Sequence, residues 1–193
     1  LEIDFSHEEE LEAGIEKLVA LLNGQPVHAL VNNAGISPKQ KNGGRLDTLT
    51  TDQSTWAEVL QVNLLAPALL TRRLTKSLEK GQGAVVNVTS IAGTRVHRFA
   101  GPAYAASKAA LSTLTRELAS DLGSMGIRVN AVSPGEINTD MLSEATSDKL
   151  IDDIPLHRLG NVDEVASAIY FLCCGSASYI NGAEIEINGG QHV

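Results

Sequence analysis

The sequence predicts an α/β fold: an open, doubly wound, mostly parallel Rossmann-like sheet. Two observations carry this. Short apolar runs, each closed by Gly, Pro, Asn or Ser, read as buried parallel strands. Longer segments of helical period separate them, and strand–helix alternation implies a parallel sheet joined by right-handed crossovers. At 193 residues, without an internal repeat or a linker, the chain reads as one domain over residues 1–193.

The elements follow in order. The chain opens in what reads as the end of a strand, Leu1 to Asp4. Glu8–Leu22 places Leu11, Ile15, Leu18, Val19 and Leu22 at the i, i+3, i+4, i+7 spacing of an amphipathic helix. Val27–Val31 is the next strand. The polar segment Ser37–Thr50 reads as a surface insertion, with a role in substrate choice as the alternative. Ser54–Leu78 is helical, with Pro67 expected to kink it. Ala84–Val88 is a strand, Ala103–Leu122 a helix stopped by Gly123, and Ile127–Val132 a strand. Glu136–Gly160 has the length of a lid. Asn161–Cys174 is a helix whose Asn161 and Glu164 form a capping box. Glu184–Ile187 closes the sheet.

Composition excludes several function classes. A net charge of −8 without a concentrated basic face argues against nucleic acid as a partner. No apolar run approaches the roughly 18 residues of a membrane span, so no membrane partner is expected. Two adjacent cysteines, Cys173 and Cys174, suit a reducing compartment such as the cytoplasm better than a disulfide. The five histidines show no metal-ligand spacing.

In an open α/β sheet, ligands bind beyond the carboxyl ends of the strands. After Val27–Val31 comes Asn32-Asn33-Ala34-Gly35, whose small residues let a ligand approach the backbone. After Ala84–Val88 come the hydroxyls of Thr89 and Ser90. After Ile127–Val132 comes Ser133-Pro134-Gly135, then Ile137 and Thr139. Each has an ordinary reading as turn or cap. Tyr104 and Lys108 stand one turn apart on one helix, so the Ser90 hydroxyl and the Tyr104 phenol can converge, with Lys108 beneath. A cation there lowers a phenol pKa towards neutrality and fits the tyrosine for proton transfer.

Asn32-Asn33-Ala34-Gly35, Asn63, Ser90, Tyr104-x-x-x-Lys108, Pro134-Gly135-x-Ile137-x-Thr139 and the ending Asn188-Gly189-Gly190 stand in the order of the short-chain dehydrogenase/reductase family, which the whole chain resembles. The resemblance implies an oxidoreductase interconverting a secondary alcohol and a ketone with NAD or NADP. It implies Tyr104 as general acid/base, Ser90 orienting the substrate oxygen, and Lys108 on the nicotinamide ribose. Asn63 would hold a relay water. Cofactor contacts would come from Asp4 and Phe5 at the adenine, and from Asn33, Ala34 and Gly35 at the adjoining ribose. Tyr104, Lys108, Pro134, Gly135, Ile137 and Thr139 would serve the nicotinamide side. Relatives are homo-oligomers, usually tetramers, joined through the helices Ser54–Leu78 and Ala103–Leu122 and the last strand.

Three departures from the family pattern stand out. Ser90 lies 14 residues before Tyr104, about one more than usual, so Thr94–Gly101 is enlarged; Thr89 is the fallback hydroxyl. The Asn33–Asn63 interval is long. The glycine-rich phosphate loop is missing, and neither Gly43-Gly44 nor Gly81-Gln82-Gly83 follows a strand and opens a helix to replace it. An upstream segment of roughly 50–60 residues is therefore expected, and without it Val27–Val31 would be an open sheet edge. No residue separates NAD from NADP. A narrower reading of the same chemistry is a 3-oxoacyl-thioester reductase. A different class is an inactive truncated form acting as a scaffold or binding module.

Overall fold

The computed structural model describes residues 1–139 and 151–193. Four parallel strands form one sheet in the order β1 (Ala29–Asn32), β2 (Ala84–Val88), β3 (Arg128–Pro134), β4 (Glu184–Ile187). Valine-rich β2 is buried at every position, as a central strand covered on both faces must be. Alternation sorts its side chains. Val85 faces one layer with Val129, Leu74, Leu78 and Ala119. Val86 and Val88 face the other with Val132 and Leu172.

The first layer holds three helices: α1 (Glu8–Leu22), α3 (Ala66–Gly81) and α4 (Pro102–Gly123). The second layer holds α5 (Val162–Cys173). The strands advance across the sheet in one direction while α5 lies on the opposite face from α3 and α4. The β3–α5–β4 crossover therefore has the opposite hand to the two before it, contrary to the uniform handedness expected. Of the Glu136–Gly160 stretch expected as a lid, residues 140–150 lie outside the described residues.

The helix expected over Ser54–Leu78 is three pieces: α2 (Gln53–Leu60), a π-helical turn over Gln61–Leu65, and α3. Pro67 has no N–H to offer the carbonyl of Asn63 four residues back, and the chain widens to a five-residue register just before it, with Ala66 N–H donating to Gln61. The irregularity is a π turn at Asn63 rather than a kink at Pro67.

At the amino end, Leu1–Asp4 is not a strand. Among the described residues no strand pairs with it, and Asp4 instead accepts bonds from the Ser6 N–H and hydroxyl at 2.8 and 2.6 Å. β1 is an edge strand with Val31 41% exposed, as an open Val27–Val31 edge would be. A buried polar chain ties that edge inward: Asn32 Nδ2 donates to Asn87 Oδ1 (2.8 Å), Asn87 Nδ2 to Thr115 Oγ1 (2.9 Å), and Thr115 Oγ1 to the Leu111 carbonyl (2.8 Å). No helix among the described residues is long and apolar enough to cross a membrane.

Candidate active site

A cavity of about 1300 Å³ opens at the carboxyl ends of β1, β2 and β3. Asn33, Ala34 and Gly35 form one wall, Ser90, Tyr104 and Lys108 the floor, and Pro134, Gly135, Ile137 and Thr139 the opposite wall. The three sequence clusters thus meet in one cleft. Asp4 and Phe5 are not among its lining residues; Phe5 packs instead against Leu11, Ile15, Ala66 and Leu70.

Each floor residue has a local cause. Ser90 lies two residues beyond β2 and caps the short 3₁₀ turn Ile91–Gly93, its Oγ accepting from the Ala92 N–H at 3.2 Å. That turn lies directly on α4: a Cβ at Gly93 would stand 2.9 Å from Ala109 N and 3.0 Å from Lys108 C, so only glycine lets the two backbones approach. Thr89, the alternative hydroxyl, is committed elsewhere. It is 2% exposed and donates to the Val132 carbonyl, with the Glu184 carboxylate 2.5 Å away.

Tyr104 and Lys108 share one face of α4. Lys108 is 4% exposed, its Nζ donates to the Val88 carbonyl at 2.7 Å, and it lies 5.7 Å from the Tyr104 ring centroid. Burial pulls its pKa down to about 8. The Tyr104 phenol differs from expectation. Burial raises its pKa, the facing Ser90 hydroxyl pulls it down, and the Glu136 carboxylate pushes it up again. The Lys108 ammonium sits under the ring and donates to the Val88 carbonyl, while the Ser90 hydroxyl faces the phenol.

Asn63 is fully buried and clamps the chain after β1: Oδ1 accepts from the Ile36 N–H (2.8 Å), and Nδ2 donates to the Ile36 carbonyl and to Ser107 Oγ (3.0 Å each). Both amide hydrogens are spent, leaving none for a relay water. The clamp brings Gly35 against the floor, where a Cβ would lie 3.2 Å from Lys108 Nζ and 3.3 Å from Asn63 Oδ1.

Sequence reasoning missed four wall residues. Ser37–Thr50, read as a surface insertion or a part of substrate choice, borders the cleft: Lys39 and Arg45 pair across an antiparallel bridge, and both line it. Their side chains donate to the Phe99 and Ala100 carbonyls. From the enlarged Thr94–Gly101 loop, His97 hydrogen-bonds Glu136, which is 7% exposed. Glu136 follows the Pro134-Gly135 motif directly, yet nothing in the sequence joins it to a histidine 39 residues earlier.

A family model described as Enoyl-(Acyl carrier protein) reductase matches residues 1–192. A crystal structure of a short-chain dehydrogenase/reductase family oxidoreductase from Brucella ovis, in complex with a partially ordered NAD, is 49% identical with a TM-score of 0.81, over 97% of this chain and 78% of that one. The chain belongs to the short-chain dehydrogenase/reductase family. Within the family it is 54% identical to Protein FixR of Bradyrhizobium diazoefficiens, over 100% of this chain and 69% of that protein. It is also 38% identical to the 3-oxoacyl-[acyl-carrier-protein] reductase FabG of Aquifex aeolicus, over 99% of this chain and 75% of that protein.

Proposed function

We propose that this protein interconverts a secondary alcohol and a ketone by hydride transfer with NAD or NADP, Tyr104 acting as general acid/base. The observation that carries the reading is the meeting of Ser90, Tyr104 and a buried Lys108 on the floor of a cleft at the strand ends. The cleft fits a nicotinamide nucleotide on its own terms. The small residues Ala34 and Gly35 open one wall to close approach, and Lys108 offers a buried ammonium with two donors beyond its bond to Val88. When bound, the nicotinamide supplies or accepts the hydride.

The chain's own residues do the rest. Ser90 faces the phenol and orients the substrate oxygen beside it. Tyr104 gives that oxygen a proton in reduction and takes it back in oxidation. Lys108 holds the ribose hydroxyls, with Ile137 and Thr139 on the nicotinamide side and Asn33 on the adenosine side. Asp4 and Phe5 join the adenine contact by family resemblance alone. Asn63 positions Gly35, and a relay water would fall to the Asn63 carbonyl, which Pro67 leaves without a donor at i+4. We further place the protein in the cytoplasm as one domain and as a homo-oligomer. Free Cys173 and Cys174 suit the first, and Leu65 (47% exposed), Tyr170 (72%) and edge strand β4 suit contact between copies.

Deuterium transfer tests the chemistry. Full-length protein given NADH or NADPH deuterated at C4, with a panel of aliphatic, hydroxylated and acyl-thioester ketones, is expected to deliver deuterium to the new carbinol carbon. Cofactor binding with no transfer to any ketone would favour the scaffold reading instead.

A further inference from the structure

We propose that the substrate carries a second hydroxyl near the reacting carbon and that Glu136 accepts its hydrogen bond. The proposal deepens the oxidoreductase reading and rests on it. It starts from a buried carboxyl group. Glu136 lines the same cavity as Tyr104 and is 7% exposed. Its oxygens accept hydrogen bonds, and burial favours a donor on each.

The structure supplies one of them. His97 Nδ1 accepts from the Phe99 N–H at 3.3 Å, so the ring proton sits on Nε2, which donates to Glu136 Oε1. His97 thereby anchors the carboxyl group through Oε1. Among the described residues, no donor reaches Oε2. Lys39, the cation that feels Glu136, turns its ammonium to the Phe99 carbonyl instead. Glu136 also pushes the Tyr104 phenol pKa up, and a donor arriving with the substrate would offset that.

Two kinds of donor reach a carboxylate in such a cleft, ammonium and hydroxyl. Lys39 and Arg45 line the same cavity and repel an ammonium. A hydroxyl remains, and with it a vicinal diol or polyol as the substrate class.

The test compares full-length wild type with Glu136→Gln, which keeps an acceptor for His97 Nε2–H and so preserves the tie between the loops. Each is assayed with NAD⁺ and NADP⁺ on meso-2,3-butanediol and galactitol against 2-butanol and 2-hexanol, with NADH affinity and melting temperature measured alongside. The expected result is a wild-type preference in kcat/KM for the hydroxylated alcohols that falls roughly ten- to a hundredfold in the variant. Equal loss on both classes, a loss explained by NADH affinity, or a wild type favouring the simple alcohols overturns the proposal. If wild type oxidises neither class, binding decides. Saturation-transfer contact of the diol with the NADH-loaded protein, lost in Glu136→Gln, supports it; absent or unchanged contact overturns it. Failure of the oxidoreductase reading is seen separately, in the deuterium-transfer experiment.

Discussion

Lys108 carries an ammonium into a site 4% exposed, and burial lowers its pKa from 10.5 to about 8. Between those values the unfolded chain still holds the proton that the folded protein has released, so stability rises with pH across that window. The rise amounts to ~3 kcal/mol in all. Lys108→Met removes it. Urea denaturation of both proteins at pH 7 and pH 10.5 is expected to show wild type gaining on the variant with pH; parallel curves would mean that Lys108 titrates normally. At this scale the sequence was informative about partners and weak about charge. The four-residue spacing put Tyr104 and Lys108 on one face because helical geometry leaves no choice. Where the ammonium turns is set by the Val88 carbonyl, 20 residues away on a strand, and no helical spacing records that.

Elements hold these residues at the right depth, and close backbone contact sets the depth. The 3₁₀ turn after β2 rests on α4 at Gly93, where a Cβ would stand 2.9 Å from Ala109 N. Backbone atoms cannot swing aside as a side-chain tip can. Gly93→Ala is therefore expected to cost about 1–3 kcal/mol and to move Ser90 away from Tyr104. Chemical denaturation checks the first effect and kcat the second; a variant normal in both would show that the turn has slack. Amphipathic α1 and the Asn161–Glu164 capping box were legible because their signals are local: Asn161 Oδ1 accepts from the Glu164 N–H at 3.1 Å, and Glu164 returns a bond to the Asn161 N–H at 2.9 Å. Pro67 pointed to an irregularity in its helix but not to the π form that it takes at Asn63. The sequence left Ser37–Thr50 between a surface insertion and a role in substrate choice, because its place depends on a distant loop, Lys39 on Phe99.

For the whole molecule, alternating strand and helix fixed a parallel sheet and placed the site at its carboxyl edge, as observed. The opposite hand of the last crossover lay beyond such patterns, since no run of residues records the face on which a helix lands. The motif order revealed the family because several strand ends must present particular groups to one cleft. What the reaction demands of the assembled cleft is a proton donor set between Ser90 and Lys108. The most direct measurement is kcat/KM for alcohol oxidation by full-length wild type and Tyr104→Phe, which keeps the ring over Lys108 and removes only the hydroxyl. A loss of about 10²- to 10⁴-fold with NADH affinity retained is the predicted result. Equal turnover by both proteins would contradict the assignment of Tyr104 as general acid/base.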